Sequence, residues 1–113
     1  MSLPQPLPDR LVELIAKRFR VLGEPMRIKL LDALREREAS VGELREVTGA
    51  SQQNVSKHLG VLLEAGIVGR RRDGNQVFYS IADEEIFRIC EQVCGTVQRQ
   101  LAELNAIVEG VGR

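Results

Sequence analysis

The stretch SVGELREVTGASQQNVSKHLGVLLEAG, residues 40–66, decides the fold. Ser40 and Glu43 have the spacing of a capping box, in which each side chain accepts a hydrogen bond from a backbone N–H that would otherwise lack a partner. The helix that they begin stops at Gly49, and Ser51 is placed to cap a second helix that ends at Gly66. We therefore predict two short helices joined by a tight turn.

The apolar residues of these two helices recur at helical spacing and predict one buried face on each. They are Leu44 and Val47 in the first helix and Val55, Leu59, Leu62 and Leu63 in the second. Two helices that meet at a steep angle through a Gly-containing turn form a helix-turn-helix, whose second helix can enter the major groove of DNA. We identify the stretch as a candidate of this kind.

Polar side chains remain on the outer face where the second helix begins. They are Ser51, Gln52, Gln53, Asn54, Ser56 and Lys57. Gln and Asn can pair bidentately with adenine, Ser can bond to a base edge or a phosphate, and Lys57 would supply a point charge to a phosphate near the positive helix N-terminus. A solvated helix start carries similar residues, so the helix alone leaves DNA binding and a plain capped helix equally open.

A predicted β-hairpin follows the second helix, and its residues favour DNA binding over a plain capped helix. Residues 67–72 and 76–81 form two strand-like runs around Asp73-Gly74-Asn75, whose residue types tolerate the positive φ of a tight turn. The hairpin carries four candidate contacts to phosphates or the minor groove: Arg70, Arg71, Arg72 and Asn75. Residues 51–80 carry a net charge of +2, whereas the whole chain is neutral. The positive charge is therefore concentrated where we expect DNA.

The flanking segments complete one domain. Residues 1–8 hold three of the four prolines and are expected to form a flexible tail, and residues 9–113 the DNA-binding and dimerisation domain. Helical patterns predict a first helix to Leu22, with Leu11, Leu14, Ile15 and Phe19 on its apolar side, and a second helix from Pro25. The second helix has a predicted buried stripe of Ile28, Leu31 and Leu34.

A long last helix is expected after Asp83, and its near-heptad stripe needs a partner. The stripe consists of Ile86, Cys90, Val93, Val97, Leu101, Leu104 and Val108. The first helix can cover part of it, and the same helix of a second chain would cover the rest in a two-fold contact. We predict a mostly α fold with a small β-hairpin, which is a winged helix-turn-helix of five helices and a two-stranded wing that forms a homodimer through its terminal helices.

The composition argues against other classes of protein. The 113 residues suit one domain, and 16 basic residues balance 16 acidic ones, so a basic surface must be local. No run approaches the roughly 18 apolar residues of a membrane span, and the start does not resemble a signal peptide. We expect a cytoplasmic protein without a membrane partner. One histidine, no Gly-rich phosphate loop and no nucleophile-base set argue against an enzyme.

Residues 10–104 resemble the ArsR family of bacterial winged helix-turn-helix repressors. The motifs are VLGEPMR at residues 21–27, QNVSKHL at 53–59, LEAGIV at 63–68 and RDG at 72–74. The resemblance implies a five-helix dimer that binds an imperfect palindromic operator of double-stranded DNA and leaves it when an effector binds. It also implies a structural or phosphate-contacting role for His58, rather than metal ligation.

The family's metal sites are largely substituted in this chain. Residues 40–44 read SVGEL where the family's thiol-rich sensors carry two cysteines. The positions that resemble the family's zinc site in the C-terminal region are Asp83, Glu85, Thr96 and Arg99. Zinc favours Cys and His, and an arginine there puts a cation in place of a ligand. No cofactor is therefore certain.

Cys90 and Cys94 are the remaining candidates for an effector site. Four residues apart, they lie on one side of the last helix, where thiols from two chains could hold a soft or transition metal ion or respond to oxidation. The alternative is that they are small buried apolar residues, since Cys90 lies on the apolar stripe itself. A protein-interaction module built on the long helix, with no response to metal, is a further alternative to DNA binding.

Overall fold

The computed structural model describes residues 2–111 and contains five helices and three strands. In chain order they are α1 (Asp9–Leu22), α2 (Pro25–Ala33), β1 (Ala39–Ser40), α3 (Val41–Thr48), α4 (Gln52–Glu64), β2 (Val68–Asp73), β3 (Gln76–Ile81) and α5 (Glu84–Val111). Residues 2–8 contain no helix or strand. The chain divides into two compact units, residues 1–83 and residues 84–113. The predicted helices and hairpin are confirmed.

The sheet has three strands, whereas the sequence predicted a two-stranded wing. Strand β3 lies in the middle, antiparallel to both β2 and the short β1, with Ala39 opposite Tyr79 and Ser40 opposite Phe78. Two residues are too few to show the alternation of a strand, so β1 left no pattern in the sequence. Because Ser40 also caps α3, this strand ties the wing to the start of the helix-turn-helix.

The hairpin turn is also tighter than expected. Asp73 pairs with Gln76 in the ladder, which leaves Gly74 and Asn75 as a two-residue turn instead of the predicted three. Gly74 has a φ of 63°, a left-handed conformation that favours glycine because it has no Cβ.

The core of the first unit lies among α2, α3, α4 and the base of the wing. Its buried apolar residues are Leu22, Leu30, Leu31, Leu34, Ala39, Leu44, Val55, Leu59, Leu62, Ile67 and Val68. A hydrogen bond of 2.7 Å from the Arg18 guanidinium to the carbonyl oxygen of Ala65 joins α1 to the C-terminal end of α4. A cation suits that position because helix carbonyls lack partners there.

Four residues predicted to lie on the apolar faces of helices are at the surface. Val47 is 71% exposed and Ile28 is 45% exposed, while Leu30 takes the buried position in α2. Leu14 and Phe19 of α1 are exposed as well, and Leu63 of α4 is half-buried. Helices of eight and nine residues contain too few repeats for the spacing to fix which side faces inward.

We expect Leu44→Ala to lower the free energy of unfolding by about 2–5 kcal/mol, because it leaves a cavity where a leucine with 0% exposure now packs. Val47→Ala on the same helix is the matched control and should change the value by less than about 0.5 kcal/mol. Urea denaturation at one fixed protein concentration measures both. Equal losses for the two variants would contradict this assignment of the core.

Candidate nucleic-acid interface

The turn between α3 and α4 is built from local hydrogen bonds. Both bonds of the capping box are present, from the Glu43 N–H to Ser40 Oγ at 3.2 Å and from the Ser40 N–H to Glu43 Oε1 at 3.1 Å. Gly49 ends α3 with a φ of 73°, and Ser51 Oγ accepts from the Asn54 N–H at 3.1 Å to begin α4. Only three residues separate the two helices, as a helix-turn-helix requires.

Helix α4 presents a polar face at its N-terminal end. Val55, Leu59 and Leu62 have 0% exposure and fix its opposite side in the core. The predicted contact residues on the polar face are exposed, apart from the half-buried Asn54; the exposed ones are Ser51, Gln52, Gln53, Ser56 and Lys57. The structure therefore brings this part of the predicted site together.

His58 does not belong to that exposed group. It is only 7% exposed, and its Nδ1 lies 3.6 Å from Oε2 of Glu24. The same carboxylate caps α2 by accepting a hydrogen bond of 3.2 Å from the Arg27 N–H. Of the two roles that the family resemblance implied, this position favours the structural one, since the ring contacts α2's N-terminus. Sequence reasoning did not find Glu24, although a carboxylate before Pro25 is a recognisable helix start.

The wing separates its three arginines onto two faces. Arg70 and Arg72 stand opposite Tyr79 and Val77, whereas Arg71 stands opposite Phe78. Because successive side chains of a strand point to opposite faces, Arg70 and Arg72 share one face and Arg71 lies on the other. All three are exposed, as is Asn75 in the turn. The wing therefore does not present the three cations as one row.

Arg71 is bound within the protein. Its Nε donates to Oε2 of Glu38 at 2.8 Å, a second guanidinium nitrogen donates to Oε1, and a third lies 3.8 Å from Oδ2 of Asp73. The guanidinium carbon also lies 4.8 Å from the centre of the Phe78 ring, a cation–π distance. Sequence reasoning did not find Glu38, because its link to the wing depends on the unpredicted strand β1.

The ion pair shifts the titration of both partners. The hydrogen bonds from Arg71 lower the pKa of Glu38 below its ordinary value of 4.5; desolvation opposes this, and the guanidinium charge adds to it. The pKa of Arg71 is raised, chiefly by the same hydrogen bonds. At neutral pH both groups are charged, so Glu38 largely offsets the positive charge of Arg71.

The thiols of α5 differ in exposure. Cys90 is half-buried and Cys94 is exposed. Burial raises the pKa of the Cys90 thiol above its ordinary value of 9.0, and the nearby charge of Cys94 adds to the effect. Within residues 2–111 we find no group of three or more His, Cys, Asp or Glu side chains arranged to hold a metal ion. Nor does that part of the chain contain a helix long and apolar enough to cross a membrane.

The chain is similar to known regulators over most of its length. A family model described as a helix-turn-helix domain matches residues 22–71. Over 102 residues the chain is 41% identical to the uncharacterized HTH-type transcriptional regulator Rv0081 of Mycobacterium tuberculosis, which covers 89% of this chain and 90% of the relative. The crystal structure of Rv0081 matches at 41% identity with a TM-score of 0.75, covering 85% of this chain and 97% of that one.

Two further matches extend the comparison. The chain is 37% identical over 90 residues to the biofilm growth-associated repressor of Agrobacterium fabrum, covering 80% of this chain and 77% of the relative. The solution structure of Mb0332 from Mycobacterium bovis, titled a homodimeric winged helix-turn-helix DNA-binding domain and a possible ArsR-family regulator, matches with a TM-score of 0.75 and 27% identity. That match covers 88% of this chain and 95% of the other.

The helix-turn-helix, the wing and these relatives together define the class: the chain is a transcriptional regulator of the winged helix-turn-helix type. Within that class it belongs to the ArsR family, which confirms the resemblance seen in the motifs.

We expect Glu38→Gln to lower thermal stability at neutral pH, because it removes the charge that Arg71 binds. A carboxyl whose pKa is lowered by folding contributes stability above its ordinary value of 4.5, and that contribution is lost as pH falls through the folded pKa. The melting-temperature difference between wild type and Glu38→Gln should therefore close in acid. A difference that persists in acid unchanged would show that the pair does not cause it.

We expect Cys94 to react faster than Cys90 with iodoacetamide at mildly alkaline pH, because the raised pKa of Cys90 leaves less of the reactive thiolate. Peptide mass spectrometry over a labelling time course measures both rates in one sample. In guanidinium chloride, which removes the burial, the two rates should converge. Equal rates in the native protein would refute the difference.

Proposed function

We propose that the protein is a transcriptional repressor that binds operator DNA as a homodimer, with α4 as the recognition helix. The observation that carries this proposal is the division of α4 into a fully buried apolar face and an exposed polar face at its N-terminal end. Membership of a family of DNA-binding regulators, and relatives that are named repressors, support it.

The polar face of α4 would read the operator in the major groove. Gln52, Gln53 and Ser56 would bond to base edges, with the half-buried Asn54 at their border. Lys57 would bind a phosphate. Ser51, which caps α4, would keep the positive N-terminus of the helix facing the DNA backbone. The amide side chains would supply sequence discrimination and the lysine would supply affinity.

The wing would contact the DNA beside the recognition helix. Arg70 and Arg72 share one face of β2, and within residues 2–111 neither forms an ion pair, so both charges are available to phosphates or the minor groove. Asn75 at the tip can add a hydrogen bond. Although the chain has no net charge, it would thus bind the DNA polyanion through a few cations placed on one surface.

Dimer formation is proposed from exposed apolar surface. Helix α5 has a stripe of exposed apolar residues: Ile89, Val93, Val97, Leu101, Leu104, Ile107 and Val108. Helix α1 separately exposes Val12, Leu14 and Phe19. Surface of this extent is uncommon in a monomer, and a two-fold contact with a second copy would cover it. Such a dimer would place two recognition helices about 34–36 Å apart, one turn of DNA.

The effector that releases the protein from the operator would act on the dimer. Cys90 and Cys94 are the candidate sensor residues. The exposed thiol of Cys94 lies on the same side of α5 as Cys90, so a two-fold contact could bring together thiols from both chains. Those thiols could hold a soft metal ion or respond to an oxidant. The metal ion or the oxidant would regulate DNA binding only if it bound to, or reacted with, the free protein and the DNA-bound protein to different extents.

We further expect the protein to act in the cytoplasm, where a bacterial chromosome lies, and to have no catalytic activity of its own. Both expectations follow from the regulatory role proposed for it.

We expect Gln53→Ala to reduce the preference for a specific duplex over a scrambled one by about ten-fold, since a bidentate base contact contributes about 1–3 kcal/mol of discrimination. Lys57→Ala should weaken binding to both duplexes alike and reduce the slope of log K against log salt by about one. The specific duplex is first selected from a random pool by the wild-type protein, and gel shifts then measure affinities.

Gln98→Ala is the matched control, because it removes an exposed glutamine from α5 rather than from α4. It should leave both affinities unchanged. If wild-type protein selects no sequence, or if Gln53→Ala keeps the wild-type preference as Gln98→Ala does, α4 does not read the operator through Gln53 and the proposal fails.

A further inference from the structure

We propose that Arg71 is a positioning residue of the wing: bound to Glu38, it fixes the wing and sets where Arg70 and Arg72 meet DNA, and it makes no phosphate contact of its own. This inference rests on the proposed DNA-binding function. It differs from the expectation drawn from the sequence, in which all three arginines contact DNA.

The side chain of Arg71 reaches across the sheet from β2 to the residue before β1. Arg71 lies on β2, its guanidinium carbon lies 4.8 Å from the centre of the Phe78 ring on the central strand β3, and its nitrogens bind Glu38, which directly precedes β1 on the far side. Phe78 is the cross-strand neighbour of both Arg71 and Ser40, so the three strands meet at this ring. One side chain therefore joins the two outer strands.

This contact acts where the sheet has few other bonds. Strand β1 is only two residues long, so its ladder with β3 provides little resistance to fraying. Ser40 belongs to β1 and also caps α3, the first helix of the helix-turn-helix. By holding Glu38, Arg71 keeps the wing in register with α3 and, through the turn, with the recognition helix α4.

The geometry of the pair fits positioning better than DNA binding. Two parallel hydrogen bonds from one guanidinium to one carboxylate are the strong, directional form of this interaction. A phosphate that approached Arg71 would meet the carboxylates of Glu38 and Asp73 beside it, and like charges repel. Arg70 and Arg72, on the opposite face of β2, form no ion pair within residues 2–111.

The two roles predict opposite results for Glu38→Gln. If Arg71 positions the wing, the loss of its charged partner should weaken binding of the selected duplex by about three-fold, although the protein has lost a negative charge. If Arg71 binds phosphate, the same change frees a cation and removes a repulsive group, so binding should tighten. Gel shifts at several salt concentrations separate the two.

Three further variants extend the test. Arg71→Lys keeps the charge but loses the bidentate geometry, so it should weaken binding as Glu38→Gln does, and the double variant should be no weaker than either single one. The slope of log K against log salt should stay at the wild-type value in Glu38→Gln, in Arg71→Lys and in the double variant. Glu36→Gln, which removes a nearby exposed carboxylate, controls for the change in net charge and should not weaken binding.

The inference is overturned if Glu38→Gln tightens binding, if Arg71→Lys binds like wild type, or if Arg71→Ala reduces the salt slope by about one, as a lost phosphate contact would. A readout without DNA separates this inference from the proposed function. Amide hydrogen exchange at Ala39 and Tyr79, the ladder pair beside Ser40, whose own N–H donates to Glu43, should speed up in Glu38→Gln and Arg71→Lys, but not in Glu36→Gln, even if wild-type protein binds no DNA. Unchanged exchange rates in both Glu38→Gln and Arg71→Lys would also overturn the inference.

Discussion

The burial of three residues of α4 is the constraint on which the interface depends. Val55, Leu59 and Leu62 all have 0% exposure, and their spacing places them on one face of the helix. Burying each such side chain contributes about 1.5–3 kcal/mol, so any rotation of α4 about its axis is opposed by all three at once. The glutamines and Lys57 are consequently presented in one fixed orientation, which base recognition requires.

The wing depends on a second constraint, the pairing of β1 with β3. Ser40 takes part in this ladder and in the capping box of α3, so one residue belongs to both the wing and the helix-turn-helix. The same pairing places Glu38 where Arg71 can bind it. A chain with zero net charge thus has some cations directed outward and one largely offset internally. The arrangement of charge, rather than its total, suits this surface to DNA.

Much of the fold was predictable because its signals are local. The capping box of Ser40 and Glu43, the glycines that end α3 and α4, and the apolar spacing within α4 all act over a few neighbouring residues. The prediction failed where a local pattern was too short to be decisive. Strand β1 has only two residues, and in the eight-residue α3 the spacing did not show that Leu44 alone would be buried while Val47 remained exposed.

The sequence by itself determined that this chain forms a helix-turn-helix with a basic hairpin, because capping residues, turn glycines and helical periodicity act on adjacent backbone. Only the tertiary structure decided what the individual side chains face. It buried His58 against Glu24, and it set Arg71 apart from Arg70 and Arg72. Arg71 and Glu38 are 33 residues apart in the chain. They meet because three strands form one sheet, and no local pattern reports a contact over that separation.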